Sequence, residues 1–147
     1  MSDTSVRLRN ATAGDATHVV ALLAELGYPT SATDFPDRLA AVLAHGGAVV
    51  VAVDVDDQML GLLCLSRHVV LHAPGPVAYI SALVTAQAAR RRGVGQRLVA
   101  EAKAWARREG CVRLSVTSAE HRTDAHTFYP ACGMPYTGRR FTADVEP

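Results

Sequence analysis

Lysine is almost missing from this chain of 147 residues, which has one lysine, Lys103, against 14 arginines. Arginine is therefore the general cation of this sequence, and a run of arginines is weaker evidence for an anion site than it would be elsewhere. The formal net charge is only +1, so no overall field attracts nucleic acid or an acidic membrane. We expect no nucleic-acid partner and no membrane partner, and any anion site must be local.

Cysteines are also few. Cys64, Cys111 and Cys132 are odd in number and widely spaced, which argues against a disulfide framework or a structural zinc site and favours reduced thiols. Long apolar runs are absent as well, because the longest, residues 48–53, is too short to cross a bilayer. Residues 1–10 are polar and have no apolar stretch of the signal-peptide type. These features predict a soluble, cytoplasmic protein.

The residues that are present are typical of a globular protein, with 49% hydrophobic and 20% charged residues. No repeat, low-complexity tract or linker interrupts the chain, so we predict one α/β domain over residues 1–147. Hydrophobic periodicity predicts a strand, two helices, a hairpin and a strand–helix–strand unit, then a short helix near residues 123–132 and a last strand near residues 136–141. Thr12 and Asp15 predict the cap of the first helix.

The strand–helix–strand unit, residues 77–117, is the most informative part of the sequence. Its helix has one apolar stripe, formed by Leu98, Val99, Ala102, Trp105 and Ala106. Such a unit joins two parallel strands, which places the loop before the helix at the carboxyl end of the fourth strand. Open α/β sheets bind ligands at this end of their strands.

The loop before this helix has the composition of a diphosphate site. The first turn of a helix has N–H groups without intrahelical partners and is electropositive. Gly93 and Gly95 remove side chains where an anion must approach the backbone, and the preceding arginines can add charge-assisted contacts. The alternative is that the arginines are solvated and the glycines only make a turn. The absence of a Gly-x-x-x-x-Gly-Lys-Ser/Thr loop and of a Gly-x-Gly-x-x-Gly fingerprint disfavours a nucleoside triphosphate or a dinucleotide.

Two blocks of the sequence, Arg90-x-x-Gly93-x-Gly95 and Ala125-x-x-Phe128-Tyr129-x-x-x-Gly133, stand in the order of two motifs of a known family. They resemble the pyrophosphate motif and the final motif of the GNAT superfamily of acetyl-coenzyme A-dependent N-acetyltransferases. The order of predicted elements also agrees. The resemblance implies a GNAT fold: an α/β protein with a mixed, mostly antiparallel sheet of six to seven strands, a central parallel pair (the fourth and fifth strands) splayed apart, and about four helices.

The same resemblance implies residue roles. Leu83 and Val84 would pair through their backbones with the pantetheine arm of acetyl-coenzyme A, and the Leu83 N–H would polarise the thioester carbonyl. Tyr129 would be the general acid that protonates the departing sulfur. The other positions implied to bind the coenzyme are Arg90, Arg91, Arg92, Gly93, Val94, Gly95, Gln96, Asp124 and Phe128. The family implies acetyl-coenzyme A as co-substrate and no metal, and its members are often homodimers.

The general base stays open. An alkylamine has a pKa of about 10 and must lose a proton to attack a thioester. Many relatives carry a carboxylate on the fourth strand, where this sequence has Ser81-Ala82, and neither side chain is a competent base. His121 is one candidate, and the others are Glu120, Asp124, His126, His68 and His72, or ordered water. Asp124 can instead cap the short helix. The spacing of His121 and His126 does not match a metal-binding motif.

These implications predict a bacterial-type enzyme that transfers an acetyl group from acetyl-coenzyme A to a primary amine of a small molecule or peptide. The amine would attack directly in a ternary complex. No motif specifies the acceptor or the length of the acyl group. The alternative is a catalytically silent module that binds acyl-coenzyme A as a sensor, which the missing carboxylate on the fourth strand favours.

Overall fold

The computed structural model describes residues 5–117, 123–138 and 140–145. The chain divides into two compact units, residues 1–115 and residues 116–147. Within the described ranges, no helix is both long and apolar enough to span a lipid bilayer.

A five-stranded sheet is the centre of the first unit. Its strands are β1 (Arg7–Asn10), β2 (Ala48–Val53), β3 (Met59–His68), β4 (Val77–Thr85) and β5 (Arg113–Val116). They lie in chain order across the sheet. The pairs β1–β2, β2–β3 and β3–β4 are antiparallel, and β5 is parallel to β4. The expected mixed, mostly antiparallel sheet with a parallel β4/β5 pair is therefore confirmed.

The predicted number of strands, six to seven, is wrong for the described part of the chain. The last strand, predicted near residues 136–141, does not form, since residues 134–138 and 140–145 have no regular secondary structure. Tyr136 and Phe141 are 65% and 92% exposed. A strand is held by burying one face of its side chains, and these aromatic residues bury little surface.

Four helices form in the described part of the chain, in agreement with the expected number. They are α1 (Ala16–Leu26), α2 (Phe35–Ala44), α3 (Val94–Arg108) and, in the second unit, α4 (Thr123–Ala131). The predicted cap is present, because the Thr12 N–H donates to Asp15 Oδ2 at 2.8 Å. It caps a short 3-10 turn, Ala13–Asp15, which leads into α1.

The helices of the first unit pack on both faces of the sheet. Val19 of α1 and Leu39 of α2 pack with Val51 and Leu62 in one buried cluster. Side chains alternate between the two faces along a strand, so Gly61 points to the opposite face. The apolar stripe of α3 is buried as predicted and packs on β3 and β4. The crossover from β4 to β5 therefore runs through a helix that packs against the sheet.

Candidate functional site

Strand β4 leads into the predicted diphosphate loop. Leu83 is half-buried opposite Leu63, and Val84 is buried opposite Leu62. The chain leaves the sheet after β4, and a hydrogen bond from the Ala86 N–H to Leu60 O at 2.8 Å still connects the next residue to β3. A 3-10 turn, Gln87–Ala89, follows and leads to the loop. The backbone thus passes from β4 through this turn and the loop to the start of α3.

Gly93 opens α3 in a conformation that favours glycine. Its φ is +75°, in the left-handed region. A Cβ at this position would meet nothing closer than Gln96 Oε1 at 3.9 Å, so the approach to the backbone is open. The first backbone bond of the helix is donated by the Arg97 N–H to Gly93 O. Among the described residues, the N–H groups of Val94, Gly95 and Gln96 have no acceptor.

The charges at this helix start also suit an anion. The first turn of α3 contains no acidic residue. Arg90 and Arg91 are exposed, and in the part of the chain that the structure describes neither forms an ion pair. Arg91 has φ +70°, an unusual value for a residue with a side chain. Such backbone conformations persist where the surroundings impose them, and they cluster at ligand sites.

The third arginine of the run has a different environment. Arg92 is half-buried, and its Nη2 donates to Ser5 Oγ at 2.8 Å. Arg97, which was not among the predicted site residues, donates from Nη1 to the carbonyl oxygen of Val6. Two cations beside the first turn of α3 are therefore bonded to the segment before β1. No local pattern could have indicated these contacts, because the partners are about 90 positions apart in the chain.

Gly61 on β3 sets the position of α3. A Cβ at Gly61 would lie 2.8 Å from Val94 Cγ1 and 3.1 Å from Leu98 Cδ1. Such contacts are too short, so any larger residue would push the first turn of α3 away from the sheet. The predicted site did not include Gly61. A glycine inside a strand indicates close approach of another element, and that signal was available in the sequence.

A β-bulge interrupts β4 just before Leu83. Cys64 pairs with Ala82 and Leu65 pairs with Ile80, which leaves Ser81 as the extra residue on β4. The Ser81 hydroxyl donates to Cys64 O at 3.2 Å. Ser81 was predicted to be no base, and the structure adds that its only hydroxyl hydrogen is bonded to a main-chain carbonyl. Bulges re-aim neighbouring groups, and this one lies two residues from Leu83.

Helix α4 in the second unit carries the predicted general acid. Tyr129 is half-buried, and its ring makes an edge contact with Phe128 at 5.2 Å between centroids. Helix α4 ends at Ala131, and Gly133 follows in the left-handed region with φ +81°. The Met134 N–H donates to Tyr129 O at 3.0 Å. Asp124 Oδ1 accepts from the Ala125 N–H at 3.0 Å, within the first turn. The two predicted roles of Asp124, in coenzyme binding and in capping, both stay predictions.

The structure describes the surroundings of only some of the base candidates. His121 and Glu120 lie outside the described residues. His126 and His72 are exposed, and His68 Nε2 is 3.0 Å from Ser66 Oγ. Within the described ranges, no group of three or more histidine, cysteine or acidic side chains could hold a metal ion.

The sequence profile of the acetyltransferase (GNAT) family matches residues 17–134, most of the chain. This chain belongs to the GNAT family. A curated GNAT relative is the type 1 aminoglycoside N(6')-acetyltransferase of Serratia marcescens, which is 34% identical over 64 residues. That match covers 44% of this chain and 44% of the relative, less than half of the relative's length.

Solved structures match the fold over nearly the whole chain. A transcriptional regulator from Bacillus halodurans is 25% identical with a TM-score of 0.84, over 95% of this chain and 99% of that chain. The aminoglycoside N-acetyltransferase AAC(6')-Iy, solved in complex with coenzyme A, is 18% identical with a TM-score of 0.83. It is matched over 97% of this chain and 95% of that chain. The GNAT fold expected from the sequence is confirmed.

Proposed function

We propose that this protein is an N-acetyltransferase that transfers the acetyl group of acetyl-coenzyme A to a primary amine of a small molecule, by direct attack in a ternary complex. The observation that carries the proposal is the start of α3, where an open Gly93 and two exposed arginines follow β4, and where the first N–H groups have no acceptor among the described residues. Membership of the GNAT family supports the same reaction class. The relative's acetylation of aminoglycosides suggests a small-molecule acceptor.

The residues of the loop fit a coenzyme that carries a diphosphate. The N–H groups of the first turn of α3 can donate to phosphate oxygens without losing another partner. The exposed guanidinium groups of Arg90 and Arg91 can add charge-assisted contacts, whereas Arg92 would first have to leave Ser5. The residues proposed to hold the diphosphate are Arg90, Arg91, Arg92, Gly93, Val94, Gly95 and Gln96. Asp124 and Phe128 are proposed as further coenzyme contacts.

The reaction needs three proton and charge adjustments. The amine nitrogen attacks the thioester carbon and loses a proton, the carbonyl oxygen becomes negative, and the carbon–sulfur bond breaks. In the proposed mechanism the Leu83 N–H donates to the carbonyl oxygen, and Tyr129 gives its proton to the sulfur. His121 or ordered water would accept the proton of the amine.

Direct attack on the thioester is favoured over an acyl-enzyme on Cys64. Its side chain packs against the buried core cluster. Burial raises the pKa of the Cys64 thiol to about 12, so the sulfur stays protonated at neutral pH. A thiol is a weak nucleophile compared with its thiolate. In the proposed mechanism the amine reaches the acetyl group itself.

The experiment that tests this function is release of free thiol from acetyl-coenzyme A in the presence of a broad panel of amines, with calorimetry of coenzyme binding in parallel. We expect coenzyme binding and thiol release with at least one amine. The Tyr129→Phe variant should lose about a hundredfold in kcat and keep its coenzyme affinity, as loss of a general acid predicts. Binding without release for any amine would contradict the proposal.

The second candidate function is a sensor that binds acyl-coenzyme A without turnover. It is favoured by Ser81, whose hydroxyl is bonded to Cys64 O in a strand where relatives often have a carboxylate. One solved neighbour is named a transcriptional regulator. In a sensor, Tyr129→Phe has no rate to reduce. We further propose that the whole chain acts as one catalytic domain in the cytoplasm and can form a homodimer.

A further inference from the structure

The face of the sheet that α1 and α2 cover continues beyond these helices. Leu62 and Cys64 pack in or against the cluster beneath α1 and α2. Side chains alternate along β3, so Ser66 and His68 lie on that same face, farther along the strand. Ser66 is half-buried and His68 is exposed. Ser66 and His68 are therefore only partly covered at this end of the β3–β4 pair, whereas Val77, which pairs with His68, is buried.

The partly exposed residues at this end form a polar and aromatic cluster. His68 Nε2 lies 3.0 Å from Ser66 Oγ. The His68 and Tyr79 rings make an edge contact with centroids 5.2 Å apart and planes at 78°. Tyr79 is paired with Ser66 across the strands, and 40% of its surface is exposed. The contacts hold the ring of Tyr79 in place while leaving part of it accessible to a ligand.

Ser81 is the second exposed residue on this part of β4. Its hydroxyl donates its only hydrogen to Cys64 O at 3.2 Å. A hydroxyl oxygen has two lone pairs, so Ser81 Oγ can only accept from a further partner. A ligand that meets this oxygen must therefore bring a donor, such as an amine N–H. Ser81 is two residues from Leu83 on one side and two residues from Tyr79 on the other.

We propose that Ser66, His68, Tyr79 and Ser81 form the acceptor-binding strip of this protein. Ser81 Oγ accepts a hydrogen bond from the reactive amine, and the Tyr79 ring, held by His68, binds a second cationic nitrogen of the same molecule through a cation–π contact. This inference rests on the proposed function and names its substrate class. Strand residues rise about 3.3 Å each, so the α carbons of Tyr79 and Ser81 are at most about 7 Å apart, and we take this as the spacing of the two proposed subsites.

The predicted acceptor is therefore a primary amine with a second cationic nitrogen about 7 Å away. A diaminoalkane of four to six carbons has this spacing, and an n-alkylamine of the same length lacks the second charge. We expect the protein to acetylate the diamines with a lower KM than the matched monoamines, by roughly fivefold to tenfold, the size of one cation–π contact. Equal KM values for the two series would overturn the proposal.

Variants at Tyr79, Ser81 and His68 locate the subsites. Tyr79→Ala should raise the KM for diamines to the monoamine value and leave the KM for monoamines and for acetyl-coenzyme A unchanged, whereas Tyr79→Phe keeps the ring face and should keep the preference. Ser81→Ala should raise the KM of both amine series, and Ser81→Thr should restore it. His68→Ala removes the ring that contacts Tyr79 and should reduce the preference for diamines. His18→Ala, at another exposed histidine, is its matched control and should keep the preference. An equal loss for both series in Tyr79→Ala, or an altered coenzyme KM, would indicate a structural role and contradict the proposal.

Failure of the proposed function can be distinguished from failure of this strip. If the wild-type protein binds acetyl-coenzyme A and releases no thiol with any amine, the proposed enzyme function fails. The strip is then judged by calorimetry with 1,5-diaminopentane alone. Binding that Tyr79→Ala abolishes and Tyr79→Phe retains would support the strip, and no binding to the wild-type protein would overturn it.

Discussion

Arginines of β1 and arginines of the loop before α3 differ in their partners. Arg9 donates to both carboxylate oxygens of Asp15 at 2.9 Å and also to Asp57 at 3.1 Å. Arg91 is exposed and, among the described residues, has no carboxylate partner. In a chain with 14 arginines, the number of cations therefore does not identify an anion site. A cation without an acidic partner, beside a helix start, is the informative feature.

The pKa of Asp15 shows how strongly the first group is held. Hydrogen bonds from the Arg9 guanidinium, more than those from Thr12, lower the pKa of the Asp15 carboxyl to about 2, against the opposing effect of burial. Hydrogen bonds to Asp15 and then to Asp57 raise the pKa of Arg9 further above its already high value. Asp15 is buried and Arg9 is half-buried. The cluster of Arg9, Asp15 and Asp57 therefore stabilises the fold, and the guanidinium donors of Arg9 are already used within the protein.

The largest effect is expected when a side chain is placed at the start of α3. Gly93→Ala should raise the Kd for acetyl-coenzyme A about a hundredfold, because the added Cβ keeps the diphosphate from two or more N–H donors. It should also cost about 1 kcal/mol of stability, because the φ of +75° disfavours a side chain. Calorimetric titration and thermal unfolding measure the two effects.

Gly110 offers a matched control at the other end of the same helix. Its φ is +72°, and a Cβ there would meet nothing within 4 Å. Gly110→Ala should therefore lose a similar amount of stability and keep the Kd of the wild-type protein. A higher Kd in Gly110→Ala would mean that the stability of the helix, and not access to the loop, controls coenzyme binding.

A smaller effect, on stability only, is expected at Asp15. Because its pKa is about 2 in the folded protein and near 3.8 in the unfolded chain, the carboxylate contributes about 2 kcal/mol above pH 4. This contribution is lost as the pH falls from about 4 towards 2. Asp15→Asn should lower the free energy of unfolding by about 2 kcal/mol at pH 7 and flatten its pH dependence below pH 4. Denaturant titrations at several pH values measure this change.

The coenzyme Kd of Asp15→Asn should stay at the wild-type value, because the group of Arg9 is expected to have no part in binding. A Kd that rises together with the loss of stability would remove the distinction between the two groups of arginines.

The smallest effect distinguishes neighbouring arginines within the loop. Arg91→Gln should raise the coenzyme Kd about fivefold, the size of one charge-assisted contact at an exposed site. Arg92→Gln should raise it about twofold, since Arg92 is bonded to Ser5 and must break that bond to reach a phosphate. Titrations at two salt concentrations should show a weaker salt dependence for Arg91→Gln than for the wild-type protein.

Arg38→Gln is the control for this pair, since Arg38 is an exposed arginine on α2. It should leave the Kd unchanged. Equal losses in the Arg91 and Arg92 variants would show that the contact with Ser5 does not limit Arg92.

The sequence was sufficient for the elements whose signals are local. The stripe of α3 was predicted because an apolar residue recurs every three or four positions. The loop was predicted because Gly93 and Gly95 stand next to a helix start. The strand near residues 136–141 was predicted wrongly, because a short apolar and polar mixture does not show whether another element will cover it.

Some site features depend on pairing between strands. The bulge at Ser81 exists only because β3 and β4 pair in one register, and the hydroxyl of Ser81 receives its partner from that register. The contact of His68 with Tyr79 arises in the same way. Neither the bulge nor the ring contact had a signal in the neighbouring sequence.

The sequence by itself determined that a helix with an open, glycine-rich start follows the fourth strand, because backbone conformation and helix ends depend on residues a few positions apart. Only the tertiary structure decided which arginines form hydrogen bonds with distant parts of the chain. Arg9 and Asp57 are 48 positions apart, and Arg92 and Ser5 are 87 positions apart. Such contacts depend on how the whole chain folds, since a charged side chain binds whichever partner the fold brings within reach.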